Sequence, residues 1–401
     1  MDLTVVGIGA DGWAGLAEPQ RSIVRAAEVV VGGERHLALL PDDVPAERVP
    51  WPTPLRAGLP RLAAEWDGRR VVVLASGDPF VAGIATTLMD VLPDVRLDVH
   101  PAVSSVALAR SRMGWPAESV TVLRDHRELP RHLAAGHRVL VLSADASTPA
   151  AVAALLREAG HGGSRMTALG ELGSPDEQVV AGTAADWDLT VPSLHVLAVE
   201  VSGDPGVAVL GWTPGLPDDA FEHDGQLTKR DLRASALARL APTPGEMLWD
   251  VGAGAGSVGI EWMRAHPTCR THAVETDPDR AARIARNAAR LGVPTLAVVT
   301  GRAPDALADL PEPDAVFVGG GATCEGVLDT VWQRLRPGGR LVVHAVTLET
   351  ETLVHAWARR HGGELTRVAV ETATAIGTFT GWTPARAVVQ WAVTKPERTS
   401  A

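Results

Sequence analysis

Tyrosine is absent from this chain of 401 residues, and cysteine occurs only twice. Cys269 and Cys324 are far apart and form no CxxC pair, so we expect neither a disulfide framework nor a zinc site, and a reducing cytoplasm fits. No apolar run approaches the length of a membrane span, and the first residues lack the basic segment of a secretory leader. These absences predict a cytoplasmic protein without a membrane segment or a resident metal. The missing tyrosine, beside twelve tryptophans, indicates a composition bias and no particular function.

Positive charge is also scarce. The chain has 37 Lys and Arg against 48 Asp and Glu, a formal net charge of −11. A nucleic-acid partner therefore has no support from the overall field, and an anionic substrate would need a local basic patch. The length is too great for one ordinary core and suits two or three domains.

A glycine-rich segment in the second half carries the strongest chemical signal. The apolar strand predicted at 248–251 contains Asp250 and runs into Gly252, Gly254 and Gly256, and a helical pattern follows. Glycine permits positive φ and close approach of a ligand, and the free N–H groups of the helix N-terminus attract it. The next predicted strand ends at Glu275, whose carboxylate can accept hydrogen bonds from a ribose diol. The segment therefore predicts a nucleoside-cofactor site.

The register of the glycines bears on which cofactor binds. A dinucleotide pattern can be matched through Gly254, Gly256 and Gly259, but the turn begins already at Gly252, and in that register Ser257 occupies the third glycine position. The segment resembles that of the class I S-adenosylmethionine (SAM)-dependent methyltransferases, so we favour SAM over NAD. An NAD-dependent oxidoreductase or a nucleotide-binding sensor is the alternative. The resemblance implies that the cofactor contacts Asp250, Gly252, Gly254, Gly256, Glu275, Arg302 and Ala303.

Basic residues cluster just before the glycine segment. Thr228 is a plausible N-cap of the helix predicted at 230–240, and Asp231 is placed to complete a capping box. Lys229, Arg230 and Arg233 lie where the helix dipole disfavours cations, which favours a bound anion, with a solvated surface as the equal alternative. We take Thr228, Lys229 and Arg233 as candidate catalytic residues.

The first half alternates strands and helices, which predicts an α/β fold with a largely parallel sheet and a more mixed second sheet after about residue 118. Two of its loops follow predicted strands. The turn containing Gly7 and Gly9 is a weak signal by itself. The loop Ser76-Gly77-Asp78-Pro79 is more specific, because it places a carboxylate at the carboxyl end of a strand, although an Asx-type turn would also explain it.

The first half resembles the tetrapyrrole methylase family. The resemblance rests on residues 6–9, 74–83, 101–105 and 170–177, and it covers about residues 1–201. It implies a two-lobed α/β fold that holds SAM in the cleft between the lobes. The family often has Pro-Gly where this chain has Ala10-Asp11-Gly12. By this resemblance, the residues near the cofactor are Gly9, Gly77, Asp78, Ser105 and Leu172.

A glycine- and proline-rich linker is predicted at 202–226, followed by a doubly wound, Rossmann-like class I methyltransferase domain at 227–401. We expect strands at 364–372 and 387–394 to close this domain as a hairpin. The segments 228–229, 250–256, 317–321 and 337–349 resemble the decarboxylating precorrin methyltransferases of the cobalamin pathway. His344 stands where that family leads us to expect Asn.

The order of the two halves has functional implications. The resemblance implies two SAM sites per chain, methylation of an anionic tetrapyrrole at ring carbons 5 and 15, and loss of CO2 from the acetate on carbon 12. It also implies a homo-oligomer. Because the sulfonium already activates the methyl group, we expect neither a metal nor a catalytic triad at the site. Lys229, Arg233 and Arg230 would bind substrate carboxylates. Methylation of another small molecule is the alternative, and the acidic charge argues against RNA.

Overall fold

The computed structural model describes residues 2–66 and 68–397. Contacts divide the chain into two units, the first formed by Met1–His126 and Ala135–Val207 and the second by Arg127–Ala134 and Ala208–Ala401. The boundary after Val207 lies inside the predicted linker. Leu216 and Phe221, which also come from that linker, are buried in the core of the second unit.

The first unit contains two five-stranded sheets. The first sheet is parallel, with strand order β3-β2-β4-β1-β5, and the second is mixed, with order β6-β7-β10-β8-β9. The prediction of a parallel sheet followed by a more mixed one is confirmed. The elements are β1 (Asp2–Ile8), α1 (Gly12–Gly15), α2 (Glu18–Arg25), β2 (Val29–Gly32), α3 (Glu34–Ala38), β3 (Glu47–Pro50), α4 (Leu55–Ala64), β4 (Val71–Ser76), α5 (Ile84–Val91), β5 (Arg96–His100), α6 (Ser105–Met113), β6 (Val120–Leu123), β7 (Arg138–Leu142), α7 (Thr148–Glu158), β8 (Arg165–Gly170), β9 (Gln178–Thr183) and β10 (His195–Glu200).

Valine-rich segments form the inner strands of the parallel sheet. In β2 and in most of β4 every side chain is buried, as expected for strands covered on both faces. α6 has clear boundaries: the Ser104 hydroxyl accepts a hydrogen bond from the amide of Ala107, and Gly114 ends the helix in the left-handed conformation at φ 65°.

The second unit is a doubly wound sheet with strand order β13-β12-β11-β14-β15-β19-β16. The first five of these strands are parallel, and β19 runs antiparallel to both β15 and β16. This confirms the predicted Rossmann-like fold. The elements are α8 (Arg230–Leu240), β11 (Met247–Val251), α9 (Ser257–Ala265), β12 (Arg270–Glu275), α10 (Pro278–Arg290), β13 (Ala297–Thr300), β14 (Ala315–Val318), α11 (Val327–Arg334), β15 (Arg340–Ala345), α12 (Leu348–His361), β16 (Glu364–Val368), β17 (Glu371–Ile376), β18 (Phe379–Pro384) and β19 (Val388–Thr394).

Alternate residues of β11 contribute to two different hydrophobic clusters. Leu248 belongs to a cluster that includes side chains of α8, α9 and α10, whereas Trp249 and Val251 belong to one that includes side chains of α11 and α12. Because successive side chains of a strand point to opposite faces, the two clusters are the two sides of one covered sheet. The loops at the ends of these strands are therefore held by a sheet that is packed on both faces.

The structure corrects the predicted elements in two regions. The sequence patterns did not predict α1, α3, β3 or α4, which are short or weakly periodic. The predicted hairpin of strands 364–372 and 387–394 was also only partly right. β16 pairs with β19, but it ends at Val368, and a separate exposed hairpin of β17 and β18 follows, with its turn at Gly377 (φ 60°). Neither strand of this hairpin buries one of its faces. The alternation of buried and exposed residues that marks a core strand is therefore missing.

Candidate active sites

The first unit has a cavity of about 330 Å³, the N-terminal cavity, at the carboxyl ends of β1 and β4. Three loops meet there. The amide of Gly77 donates to the carbonyl of Ile8 at 3.0 Å, and the amide of Ala102 donates to the carbonyl of Gly77 at 3.0 Å. Gly77 has φ 49°, and a Cβ there would lie 2.9 Å from Ser104 Cα. Only glycine fits this crossing, which brings the loops after β1, β4 and β5 together.

The structure places all five predicted cofactor residues of the first half on the wall of this cavity: Gly9, Gly77, Asp78, Ser105 and Leu172. Asp78 Oδ1 also accepts a hydrogen bond from the amide of Phe80 at 2.9 Å. The local-turn interpretation of Asp78 is therefore right as well, and it is compatible with a place in the cavity wall.

The sequence patterns missed Arg35, His36 and His195, which also line the N-terminal cavity together with Ser76 of the predicted loop. His36 Nε2 lies 2.8 Å from Ser76 Oγ. Burial, and secondarily the Arg35 charge, lower the pKa of His36 to about 4. A usable signal was present, because Gly32-Gly33 closes β2 beside β4 and the charged run that follows lies at the ligand-binding edge of the sheet.

The second unit has a cavity of about 560 Å³, the C-terminal cavity, which Gly252 and Gly254 line. Gly252, Gly254 and Gly256 have φ 69°, 59° and 75°. A Cβ on Gly252 would lie 2.8 Å from the carbonyl oxygen of Gly320, so this turn also requires glycine. The predicted register of the loop is therefore confirmed.

Gly259 has a different role from the three loop glycines. It lies inside α9, and a Cβ there would be 2.7 Å from Thr271 Cγ2 of β12. Its amide donates to Asp250 Oδ2 at 2.9 Å. Gly259 thus allows close packing of helix and strand, and it does not belong to the glycine turn.

Two carboxylates support the loop from behind. Glu275 Oε2 accepts the amide of Gly254 at 2.8 Å, and Oε1 accepts the amides of Thr276 and Asp277 at 2.9 and 3.1 Å. Asp250 is buried; that burial, and the Glu275 charge to a lesser degree, raise its pKa to about 7. Asp250 Oδ1 is buried without a hydrogen-bond partner among the described residues.

Apart from Gly252 and Gly254, the cofactor residues predicted in the second half do not line the C-terminal cavity: Asp250, Gly256, Glu275, Arg302 and Ala303. Gly256 caps α9, the Arg302 guanidinium lies 3.5 Å from Cys324 Sγ, and Ala303 packs against a hydrophobic core cluster. Their contact with an adenine stays a prediction.

Three cations line the C-terminal cavity: Lys229, Arg230 and Arg386. Lys229 Nζ lies 3.6 Å from Asp218 Oδ2 and is half exposed. Arg386 was missed, because it follows the exposed hairpin, far along the chain from the glycine loop. The N-cap prediction for Thr228 is wrong: Lys229 occupies the N-cap position, and Asp218 Oδ1 accepts the amide of Arg230 at 3.0 Å.

The prediction that Arg233 binds substrate is also wrong, because its side chain is fully buried. Its Nε donates to Glu261 Oε1 at 2.6 Å, and its Nη1 donates to the carbonyl of Thr228 at 2.5 Å. Further partners are Asp218 and the carbonyl of Leu216. Arg233 therefore holds the start of α8 in place. A single sequence cannot distinguish such a buried arginine from an exposed one.

His344 lines the C-terminal cavity at the end of β15. Its Nε2 lies 2.9 Å from Gln390 Oε1, and its ring meets Phe317 edge-on with centroids 4.9 Å apart. Burial lowers its pKa. The residue that departs from the family pattern is thus a neutral, oriented side chain in the cavity wall.

Within residues 2–66 and 68–397 no helix is long and apolar enough to cross a membrane. The same residues contain no group of three or more His, Cys, Asp or Glu side chains placed to hold a metal ion.

The fold and the two glycine-lined cavities define a two-part methyltransferase. Residues 2–188 match the model of the tetrapyrrole (corrin/porphyrin) methylases, and residues 219–395 match the precorrin methyltransferase domain. A precorrin-6Y C(5,15)-methyltransferase [decarboxylating] of Sinorhizobium sp is 46% identical over 98% of this chain and 96% of its own length. The protein of the same name from Mycobacterium tuberculosis is 45% identical over 98% of this chain and its whole length.

A shorter relative from Saccharolobus solfataricus covers 34% of this chain and 72% of its own length, at 32% identity. It is named a probable cobalt-precorrin-6B C(15)-methyltransferase (decarboxylating). The chain belongs to the family of decarboxylating precorrin-6Y C(5,15)-methyltransferases.

Proposed function

We propose that this chain methylates ring carbons 5 and 15 of precorrin-6Y with SAM and removes the carboxyl group of the acetate on carbon 12, giving precorrin-8 in cobalamin biosynthesis. The observation that carries the proposal is the presence, in one chain, of two cavities built around different glycine loops. Two methyl transfers to two positions of a large substrate are consistent with two separate sites.

The C-terminal cavity suits SAM. Gly252 and Gly254 line this cavity without side chains, and α9 begins just behind the loop. Among the described residues Glu275 Oε2 accepts one hydrogen bond, from the amide of Gly254, so one further acceptor position is left for a ribose hydroxyl. When bound, SAM supplies a methyl group that its sulfonium already activates. The protein then contributes alignment and exclusion of water.

The N-terminal cavity is the proposed second SAM site. Gly77 lines this cavity without a side chain at the crossing of the loops, and Leu172 adds an apolar wall. The two sites would be independent, since they share no residue. Isothermal titration of the full chain should give two SAM molecules per chain, and a value of one would refute the second site.

The cations of the C-terminal cavity are the proposed grip on the substrate. A precorrin carries several acetate and propionate groups, and an arginine can bind a carboxylate through two parallel hydrogen bonds. Arg230 and Arg386 form no side-chain ion pair within the described part of the chain, and Lys229 is only loosely paired with Asp218. These residues could hold a carboxylate out of water while CO2 leaves and the ring takes up the electrons.

The two units would divide the work. We assign carbon 15 and the decarboxylation to the second unit and carbon 5 to the first, in line with the name of the shorter archaeal relative. Mass spectrometry of the product from full-length Gly77→Val and Gly252→Val tests this, since both side chains would collide with backbone. Gly77→Val should still release CO2 and add one methyl group, whereas Gly252→Val should release none. The reverse pattern would contradict the assignment.

A cytoplasmic location and a homo-oligomer complete the proposal. Both cysteines are free thiols, as expected in a reducing compartment. The hairpin of β17 and β18 exposes Ile376, Phe379 and Trp382, which is unusual for a surface that stays in water. Light scattering should therefore find more than one chain per particle, and a monomer at micromolar concentration would refute this.

A further inference from the structure

Three side chains of the N-terminal cavity form a hydrogen-bonded cluster that methyl transfer alone does not require. Ser76 is the last residue of β4, and His36 and Arg35 lie on α3. His36 Nε2 is 2.8 Å from Ser76 Oγ, and Arg35 Nη2 is 3.0 Å from the same nitrogen and 3.2 Å from the same hydroxyl. All three line the cavity.

The contact with Arg35 decides the direction of the hydrogen bonds. A guanidinium only donates, so His36 Nε2 is an acceptor and the neutral ring carries its proton on Nδ1. The Ser76 hydroxyl then donates to Nε2 and accepts from Arg35. His36 Nδ1 is buried without a partner among the described residues. The ring is thus held by its interactions on the Ser76 side, and the single Nε2 lone pair is shared between the Ser76 hydroxyl and the Arg35 guanidinium.

The proposed reaction at carbon 5 needs a proton acceptor. A bridging carbon of a tetrapyrrole carries one hydrogen. As this carbon bonds to the incoming methyl carbon, the carbon–sulfur electron pair stays on sulfur, and the macrocycle takes up the positive charge. The ring recovers its conjugation only when the carbon–hydrogen bond breaks, its electron pair returns to the ring, and the proton leaves. Alignment alone does not remove that proton.

We infer that Ser76 and His36 accept the proton released from carbon 5. The inference rests on the proposed function. The proton passes to Ser76 Oγ while the Ser76 hydroxyl proton passes to His36 Nε2. Arg35 is a positioning residue, because it orients both partners and does not itself accept a proton.

The electrostatics of the cluster agree with this role. A methylated macrocycle that carries a positive charge is a strong carbon acid, so a weak base with a correctly placed lone pair is sufficient. The low pKa of His36 keeps the ring neutral before the reaction. The charge of Arg35 then favours loss of the newly bound proton to water.

The test uses the full chain with SAM and precorrin-6Y, and mass spectrometry to follow each methyl group. His36→Gln and Ser76→Ala should slow methylation at carbon 5 on the order of 100-fold, the usual contribution of a general base. His100→Gln is the matched control, because His100 pairs with Asp98 on β5 and does not line the cavity. It should methylate at the rate of the unmodified chain.

Three measurements distinguish a proton acceptor from a structural role. Added imidazole should restore carbon-5 methylation to His36→Ala. Deuterium at carbon 5 of the substrate should slow His36→Gln more than the unmodified chain, because proton removal becomes rate-limiting. SAM titration should give the same affinity and stoichiometry for His36→Gln as for the unmodified chain.

Normal carbon-5 methylation by His36→Gln would overturn the inference, as would a loss that parallels weaker SAM binding and resists imidazole. A different result would count against the proposed function itself: an unmodified chain that binds SAM but adds no methyl group at carbon 5.

Discussion

Replacing Arg233 by methionine should weaken the fold of the second unit without removing a group from the C-terminal cavity. In the folded chain the guanidinium contacts Glu261, Asp218 and two backbone carbonyls, and it stacks over the Phe221 ring at 4.8 Å. Methionine keeps most of the apolar stem. The substitution therefore removes the charge and the hydrogen bonds while largely preserving the packing.

The expected loss follows from the burial of the partner. The Glu261 side chain is only 3% exposed and would keep just two hydrogen bonds, from the amides of Gly215 and Leu216 at 2.7 and 2.9 Å. Removing one member of a buried ion pair costs about 3–5 kcal/mol of unfolding free energy. In Arg233→Met with Glu261→Gln the uncompensated charge disappears. Unpaired carbonyls and one backbone amide that faces the new NH2 group remain, at about 1–3 kcal/mol each.

Urea denaturation combined with hydrogen exchange of peptides from α8 measures the stability of the second unit directly. The single variant should exchange faster than the double variant, and Lys229→Ala should match the unmodified chain. A single variant within about 1 kcal/mol of the unmodified chain that nevertheless loses substrate affinity would refute the structural role. Arg233 would then have to reach the substrate after all.

Three further predictions concern the second unit. Lys229→Ala should raise KM for carbon-15 methylation about tenfold, with SAM affinity unchanged, because one partner of a substrate carboxylate is lost; an unchanged KM would exclude this contact. Asp250→Asn should flatten the pH dependence of stability: the folded pKa lies above the unfolded value of 3.8, so stability from this group is present below pH 3.8 and lost as pH rises through about 7. At pH 8 the Asp250→Asn variant should therefore be more stable than the unmodified chain, by on the order of 4 kcal/mol at most. If the urea midpoint of each protein is the same at pH 5 as at pH 8, this prediction is contradicted. Gly256→Ala should cost about 1–3 kcal/mol and reduce bound SAM from two to one, since its φ is 75° and the new Cβ would lie 2.6 Å from Ile284 Cγ2. Gly245→Ala, with φ 87° and no atom within 4 Å, should keep both SAM sites, and equal SAM binding by the two variants would remove the packing argument.

The local chemistry of the glycine loops could be predicted from sequence. The spacing of Gly252, Gly254 and Gly256 determined the SAM-type register, because each glycine needs positive φ and the preceding strand can end only where its apolar run ends. The loop at Gly77 was found in the same way. Such signals are short-range: a turn and the strand before it lie within about ten residues.

Side chains that reach the cavities from distant segments could not be predicted in this way. Arg386 follows a hairpin that has no buried face, and His36 lies on a helix of five residues, too short for a periodic pattern. Arg233 is the opposite case. Its position at a helix start suggested an anion site, yet Asp218 and Glu261 enclose it.

The sequence by itself determined the fold class, the order of the two methyltransferase parts, and the loops that suit a cofactor, because propensity, spacing and glycine geometry are local properties. Only the tertiary structure decided which polar groups meet. It turned Arg233 inward, placed Arg386 and Lys229 on the wall of one cavity, and placed His36 against Ser76. These contacts depend on strand order and register, which bring together residues separated by tens to hundreds of positions in the chain. No local sequence pattern carries that information.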